Sequence, residues 1–277
     1  MCMTSFIPQG SEGLLPNDLR YLSQSLEETE KFRLIYYDRV DSTNNRAVEY
    51  ARRGYPHLTV VIANSQFKGR GRRGREWFSP EGKNIYMSLI YRELEDVTYP
   101  ELFTLYSSVC VIEALQGIVP EAGGHLWSKW PNDIYWDEKK LGGILIEGSL
   151  SAEDINFLVI GIGINVNSSN EELLACSEGR GTSLLAESGR IYRRDEIILA
   201  ILSEISSAKR ILKDRETLIR KWKDLSRTVG ERVKVVTNRG SYEAVALGVD
   251  ERGHLIVKRK GDGKKEVLTY EEVVHIR

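Results

Sequence analysis

The chain has 277 residues, of which 41% are apolar and 29% are charged, as in an ordinary globular protein. A net charge of −1 argues against binding of nucleic acid through a broad basic surface, and no apolar run reaches the length of a membrane span. Cys2, Cys110 and Cys176 show neither disulfide nor metal-ligand spacing. We therefore expect a cytoplasmic protein without a protein-bound metal.

Residues 1–30 are rich in Ser, Glu, Gly and Pro and are predicted to form an N-terminal tail with one short helix near Asp18–Leu26. The next 198 residues, 31–228, alternate between strand and helix patterns. The predicted strands are Leu34–Tyr37, Leu58–Ala63, Ile85–Tyr91, His125–Trp130 with Ile134–Trp136, Leu141–Glu147 and Phe157–Val166. The predicted helices are one from Ser42-Thr43 to before Gly54, an amphipathic one over Pro100–Ile118, and two over Asp195–Lys213 and Glu216–Arg227.

The pattern changes after Val229-Gly230 to short alternating strands separated by glycine-containing turns. The predicted strands are Arg232–Val236, Tyr242–Val249, His254–Lys258 and Glu266–Tyr270. So many short strands in fewer than fifty residues indicate a small β-barrel. Residues 229–277 are therefore predicted to form a second domain.

Residues 68–75 read Lys-Gly-Arg-Gly-Arg-Arg-Gly-Arg, which combines glycines that allow close backbone approach with guanidinium groups that match carboxylate and phosphate oxygens. The spacing of Gly69, Gly71 and Gly74 also satisfies the dinucleotide-binding pattern. That pattern requires a helix to begin within it, and Pro80 and Gly82 break any such helix. We therefore expect an anion to be bound mainly by side chains of this segment, which we call the arginine loop.

Further polar segments lie on or beside predicted strands, as a pocket on a sheet would require. They are Asp41-Ser42-Thr43-Asn44, Gln66, Lys129-Trp130-Pro131-Asn132-Asp133, Lys140-Leu141-Gly142-Gly143-Ile144-Leu145-Ile146-Glu147 and Gly161-Ile162-Gly163-Ile164-Asn165-Val166-Asn167. Together with the arginine loop, and in this order, they closely resemble the biotin protein ligases. The resemblance runs from about Leu34 to the C-terminus.

The resemblance implies an α+β fold: a mixed sheet flanked by helices, like the core of class II aminoacyl-tRNA synthetases, followed by an SH3-like β-barrel. Many bacterial relatives carry an N-terminal winged helix that binds DNA, and 30 residues are too few for one. We therefore expect no DNA binding from this form.

The family reaction joins biotin to ATP, giving biotinyl-5′-AMP and pyrophosphate, and then transfers biotin to a lysine of a biotin carboxyl carrier protein. The resemblance thus implies biotin as substrate, ATP as co-substrate, Mg²⁺ as counter-ion of the leaving pyrophosphate, and a carrier protein as partner. A homodimer is a further possibility. The first step brings an anionic carboxylate onto an anionic phosphate, so cations in fixed positions are expected around it.

The resemblance assigns these cations and the surrounding contacts to individual residues. The expected catalytic residues are Lys129, Arg70 and Arg72. The expected biotin contacts are Ser42, Thr43, Asn44, Gln66, Arg70, Gly71, Arg72, Lys129, Gly142 and Gly143. The expected nucleotide contacts are Arg72, Arg73, Arg75, Trp77, Lys129, Asn132 and Asn165.

Some of these residues also have structural interpretations. Ser42-Thr43 has the pattern of a helix N-cap, Trp77 could pack in the core, and Asn165 could simply end a strand. For Asp133, a turn-capping role after Pro131 is at least as well supported as chemistry.

Two other functions are compatible with parts of the sequence. A lipoate-attaching enzyme of the same superfamily would use similar chemistry but lacks the arginine loop followed by Lys-Trp-Pro-Asn-Asp. A nucleic-acid-binding module could use the arginine loop and the barrel, and its binding would depend strongly on salt. The near-neutral net charge speaks against it.

Overall fold

The computed structural model describes residues 7–8, 15–29, 31–94, 99, 101–150, 155–176, 180–206, 214–237, 240–269 and 272–276. The helices are α1 (Arg20–Thr29), α2 (Thr43–Arg52), α3 (Leu102–Ile118), α4 (Asn170–Cys176), α5 (Leu184–Ser188), α6 (Arg194–Ile205) and α7 (Arg215–Asp224), with 3₁₀ turns at Asn17–Leu19, Arg72–Gly74 and Pro120–Ala122. None of the described helices is long and apolar enough to cross a membrane.

The strands form two sheets. The first contains β1 (Ile7–Pro8), β2 (Arg33–Val40), β3 (Thr59–Gln66), β4 (Ile85–Tyr91), β5 (Leu126–Lys129), β6 (Asp133–Trp136), β7 (Lys139–Leu150) and β8 (Ile155–Ile164). The second contains β9 (Arg232–Thr237), β10 (Gly240–Val249), β11 (Leu255–Arg259), β12 (Lys265–Leu268) and β13 (Glu272–His275).

The first sheet has the order β1-β2-β3-β4-β8-β7-β6-β5. Strands β1, β2 and β3 run parallel, and every other neighbouring pair is antiparallel. The sequence prediction of a mixed sheet flanked by helices is therefore confirmed. The second sheet is antiparallel throughout, in the order β12-β11-β10-β9-β13.

Side-chain alternation divides the first sheet into two faces, because successive residues of a strand point to opposite sides. One face carries the main core, in which Leu34, Val60, Leu89 and Ile160 pack with α1, α3 and α6. The other face carries a smaller apolar cluster beneath α2. Beyond α2 this second face bears polar residues and glycines on β4, β6, β7 and β8, and we call it the polar face.

Helix α3 differs from the amphipathic helix that was predicted, because it is buried on nearly all sides. Even Ser107 and Ser108 are fully buried, and their hydroxyls donate to the carbonyls of Phe103 (2.6 Å) and Leu105 (2.8 Å). The helix lies between strands of the first sheet and helices α6 and α7. Its serines therefore remain buried by bonding to the helix's own carbonyls, which periodicity alone does not reveal.

The other predicted elements agree with the structure to within a few residues, whereas β1, α4, α5 and β13 were not predicted from the sequence. The hairpin at 137–140 is present, with Asp137 in the left-handed region at φ 46°. The end of the helix predicted to reach Lys213, and positions 238–239 of the turn between β9 and β10, lie outside the described residues.

The N-terminal segment contributes to the core. Leu19, Leu22 and Leu26 are at most 2% exposed and pack in the main core. The buried guanidinium of Arg194 donates to both carboxylate oxygens of Asp18, at 2.5 and 2.9 Å, and to Asn64 Oδ1 at 3.2 Å. This buried ion pair joins the N-terminal 3₁₀ turn to α6 and β3.

We predict that Asp18→Asn lowers the free energy of unfolding by about 2–4 kcal/mol, because it leaves the buried Arg194 charge without a compensating anion. Urea denaturation measures the effect. The control is Glu196→Gln, which removes an exposed partner of Arg193 and should change stability by less than about 0.5 kcal/mol. Equal stability of the two variants would contradict the role of the buried pair.

Candidate active site

The arginine loop is a narrow hairpin that begins at the end of β3. Its base is closed by the Trp77 amide donating to the Gly69 carbonyl (2.9 Å), and its tip by the Gly71 amide donating to Arg75 (2.7 Å). A Cβ on Gly69 would lie 2.4 Å from the Trp77 carbonyl oxygen, so this position requires glycine. The loop contains a single 3₁₀ turn and no α-helix, which agrees with the rejection of a dinucleotide-binding motif.

Arg70 crosses from the loop to the polar face. Its two terminal nitrogens donate to the Glu147 carboxylate at 2.7 and 3.1 Å, and Nη1 also donates to Asn45 Oδ1 at 2.6 Å. The second predicted catalytic arginine, Arg72, donates to Asn132 Oδ1 at 3.2 Å. The loop is therefore attached to α2, to β7 and to the turn between β5 and β6.

The start of α2 is held by a side chain at the end of strand β3. Gln66 Oε1 accepts from the Thr43 amide (2.8 Å) and the Thr43 hydroxyl (3.3 Å), and its Nε2 donates to Ser79 (2.9 Å). Ser42 occupies the N-cap position and is buried, but its side chain makes no capping hydrogen bond. The capping interpretation of Ser42 is thus correct for the backbone only.

Asn44 and Ser88 continue this polar network across the sheet. The Ser88 hydroxyl lies within hydrogen-bond distance of Thr43 Oγ1 (2.8 Å) and Asn44 Oδ1 (2.7 Å), and Asn44 Nδ2 donates to Glu147 (2.9 Å). All three network residues, Thr43, Asn44 and Ser88, are buried. A connected set of hydroxyl and amide groups therefore lies beside the arginine loop.

Glycines form the floor beneath these groups. A Cβ on Gly161 would lie 2.0 Å from Asn44 Oδ1, and one on Gly163 would lie 2.7 Å from the Trp77 ring. Gly143 pairs with Gly163 and also faces Trp77. A Cβ on Gly143 would lie 3.6 Å from the Trp77 ring. A larger residue at Gly161 would displace Asn44 and one at Gly163 would displace Trp77, whereas a methyl group at Gly143 would only reach van der Waals contact with Trp77.

The two glycines predicted to contact biotin lie on opposite faces of β7. Gly143 is on the polar face, whereas Gly142 pairs with Ile134 and lies beside its Cβ, on the side of the main core. A Cβ on Gly142 would also approach the Gly163 carbonyl to 2.9 Å. Gly142 therefore permits close strand packing, and its backbone alone borders the polar face.

Lys129 lies on the polar face of β5, and its ammonium is 5.2 Å from the centroid of the Tyr135 ring. Its cross-strand partner is Asp133. The Asp133 carboxylate forms an ion pair with Lys140 at 2.6 Å, and the turn-capping role considered for Asp133 stays a prediction. Trp127, Trp130 and Trp136 are all buried, as expected for core residues.

Lys140 is a candidate site residue that the sequence reasoning missed, although it stands in one of the quoted motifs. Its ammonium lies 5.5 Å from the Trp77 ring centroid and 2.6 Å from Asp133. The pairing of β6 with β7 shifts register between Ile134 and Tyr135, so that Leu141 is an extra residue. This bulge brings Lys140 onto the same face as Gly143, against strict alternation.

Trp77 and Asn165, two predicted nucleotide contacts, have different surroundings. The Trp77 indole nitrogen is buried with no hydrogen-bond partner among the described residues, while its ring rests on the glycine floor. Asn165 is 7% exposed, and its Nδ2 donates to the Thr182 carbonyl at 2.9 Å. Asn165 thereby holds the segment before α5, and its contact with a nucleotide stays a prediction.

The second sheet also reaches this region through His275 on β13. Its ring stacks on Trp127, with centroids 5.5 Å apart. Burial, together with the positive charge of Lys129, lowers the pKa of His275 to about 4. The imidazole is therefore neutral near pH 7, and the second sheet adds an uncharged aromatic group next to Lys129.

Comparison with known proteins agrees with these features. A family model described as "Biotin/lipoate A/B protein ligase family" matches residues 36–165. The bifunctional ligase/repressor BirA of Bacillus spizizenii is 35% identical over 234 residues, covering 84% of this chain and 71% of the relative. The biotin–[acetyl-CoA-carboxylase] ligase of Paracoccus denitrificans is 28% identical over 85% of this chain and 97% of its own.

A solved structure has the same architecture. It is a biotin protein ligase from Aquifex aeolicus in complex with biotin and ATP, with a TM-score of 0.73 and 31% identity. The match covers 88% of this chain and 99% of the Aquifex chain. The likeness therefore extends over both sheets and is not confined to the segment that the family model matches.

We predict that Gly161→Ala lowers the free energy of unfolding by about 1–3 kcal/mol, because the new methyl group overlaps Asn44, which Ser88 and Glu147 hold in place. Urea denaturation again measures the effect. Gly117→Ala is the matched control, since no atom lies within 4 Å of its added Cβ. Equal stability of the two alanine variants would contradict the conclusion that Asn44 is held in a fixed position against Gly161.

Proposed function

Because the chain belongs to the biotin protein ligase family, we propose that it activates biotin with ATP and transfers the biotinyl group to a carrier protein. In the first step a biotin carboxylate oxygen bonds to the α-phosphorus of ATP, the bond to the bridging oxygen breaks, and pyrophosphate leaves. In the second step a lysine amine of a biotin carboxyl carrier protein attacks the biotinyl carbonyl of biotinyl-5′-AMP, and AMP leaves.

The observation that carries the proposal is the meeting of cations from three separate segments on one polar face floored by glycines. Arg70 and Arg72 come from the arginine loop, Lys129 from β5 and Lys140 from β7. Their charges exceed those of Asp133 and Glu147, which pair with Lys140 and Arg70. This arrangement suits a reaction between two anions, because fixed cations reduce the repulsion in the transition state.

Lys129 is the strongest candidate for transition-state stabilisation. Its ammonium would lie between the carboxylate and the α-phosphate, and Arg72 would bind the oxygens of both groups. Lys140 joins this set because it shares the polar face with Gly143 and Trp77. Its pairing with Asp133 holds the ammonium beside the glycine floor, and Asp133 is also a candidate to orient the attacking amine.

The hydroxyl and amide network suits the ureido ring of biotin, which offers one carbonyl and two N–H groups. Ser42, Thr43, Asn44 and Gln66 supply matching donors and acceptors. Gly71, Gly143 and the backbone of Gly142 would allow close approach of the ligand. The predicted contacts with ATP are Arg72, Arg73, Arg75, Trp77, Lys129, Asn132 and Asn165.

ATP enters as its magnesium complex. No cluster of three or more metal-ligating side chains occurs in the described part of the chain. Mg²⁺ usually keeps several waters and binds through substrate phosphates together with one or two carboxylates, so such a cluster is not required. When bound, the ion neutralises charge on the leaving pyrophosphate.

Several finer features stay part of the proposal. They are a cytoplasmic location, a homodimer, and a division into an N-terminal segment (1–30), a catalytic domain (31–228) and an SH3-like domain (229–277). The number and the order of the five antiparallel strands β9–β13 support the assignment of residues 229–277 to an SH3-like domain. The stacking of His275 on Trp127 supports a contribution of this domain to the site.

The direct test measures pyrophosphate release from ATP and Mg²⁺ with biotin, with lipoate and with neither. We expect release that depends on biotin. Release with lipoate alone would assign the chain to the lipoate branch of the superfamily. No release with either acid would contradict the proposal, and salt-dependent binding of nucleic acid would then be the function to examine.

We predict that Lys129→Ala lowers the rate of biotinyl-5′-AMP formation by about 10²–10³-fold, because a cation aimed at the transition state is lost. Biotin affinity, measured by calorimetry, should change little. The control is Lys139→Ala, a half-exposed lysine that pairs with Glu187, and it should form the adenylate at the normal rate. A near-normal rate for Lys129→Ala would remove Lys129 from its assigned role.

A further inference from the structure

The Glu147 carboxylate lies where three parts of the site meet. It stands on the polar face of β7, opposite Val159 on β8. One oxygen accepts from Arg70 at 2.7 Å, and the other accepts from Arg70 at 3.1 Å and from Asn44 at 2.9 Å. Glu147 therefore links the arginine loop, the start of α2 and the glycine-containing strand.

Arg70 is directed away from its own loop. Within the described residues, its three side-chain hydrogen bonds all cross to Glu147 or Asn45. The paired guanidinium and carboxylate form a two-point contact, which fixes orientation as well as distance. The Nη groups of Arg70 are thus engaged in attaching the loop to the sheet.

This ion pair differs from an ordinary surface pair, which contributes little because both side chains remain mobile and solvated. The Arg70 side chain is 42% exposed, but Glu147 is only 27% exposed and also accepts from Asn44, whose amide is buried and held by Ser88. Because Asn44 fits above Gly161, the position of the carboxylate is set by the floor of the site.

We propose that Glu147 is a positioning residue that holds Arg70, and through it the arginine loop, closed over bound biotinyl-5′-AMP. This inference rests on the proposed function of the same site. A loop attached at Arg70 keeps Arg72 beside Asn132 and Trp77 on Gly163. Loss of the Glu147 charge would release that attachment and let the intermediate escape before a carrier lysine reaches it.

The test compares Glu147→Gln with the unaltered protein after the adenylate has formed. Glutamine keeps an oxygen for Asn44 but loses the charge-assisted contact with Arg70. We expect biotinyl-5′-AMP to dissociate about tenfold to a hundredfold faster, and trypsin to cleave sooner within residues 68–75. Glu147→Asp, which keeps the charge, should restore part of the slow dissociation.

Two controls separate positioning from general destabilisation. Glu243→Gln removes a carboxylate of the second sheet that also pairs with two cations, Arg232 and Lys260, and it should leave both readouts unchanged. In an Arg70→Ala background, Glu147→Gln should add little to the dissociation rate, because the two residues act through one contact.

The outcomes distinguish this inference from the proposed function. No biotin-dependent pyrophosphate release by the unaltered protein would overturn the function itself. Normal release, with equal adenylate dissociation from Glu147→Gln and the unaltered protein, would overturn only the role of Glu147. Slower dissociation from Glu147→Gln would also overturn it, because Glu147 would then compete with the ligand for Arg70.

Discussion

The close approach of the arginine loop to the sheet is the constraint on which the rest of the site depends. The loop carries four arginines, and Trp77, two residues beyond it, can lie against β8 only because Gly163 leaves room for its ring. Gly161 does the same for Asn44. The floor has no side chains at these points, so the loop, α2 and the sheet come together around a space that is lined by polar groups.

The balance between cations and carboxylates in the site determines which ligands it can bind. Cations placed together repel one another, and each is more stable with a nearby anion. Glu147 and Asp133 supply such anions to Arg70 and Lys140. The two pairs leave a net positive site, which is what an anionic acid and a triphosphate require. Each carboxylate also fixes the direction of its cation.

Both ends of the chain support this arrangement from outside the central motifs. Leu19, Leu22 and Leu26 fill the core on the face opposite the site, and the buried Asp18–Arg194 pair attaches them to α6. At the other end, β13 brings His275 onto Trp127, two residues before Lys129. The segment predicted as a tail and the unpredicted strand β13 therefore both contact the first sheet or the helices packed on it.

The sequence by itself determined most of the strands and helices, the polar motifs and the family, because these depend on local periodicity and on residue types at fixed spacing. Only the tertiary structure decided which residues face the site. The bulge at Leu141 brings Lys140 to the polar face while Gly142 faces the core, since one extra residue reverses the alternation of a strand. Likewise, Glu147 and Arg70 are 77 residues apart in the chain, and no local pattern reveals a contact that the pairing of distant strands creates.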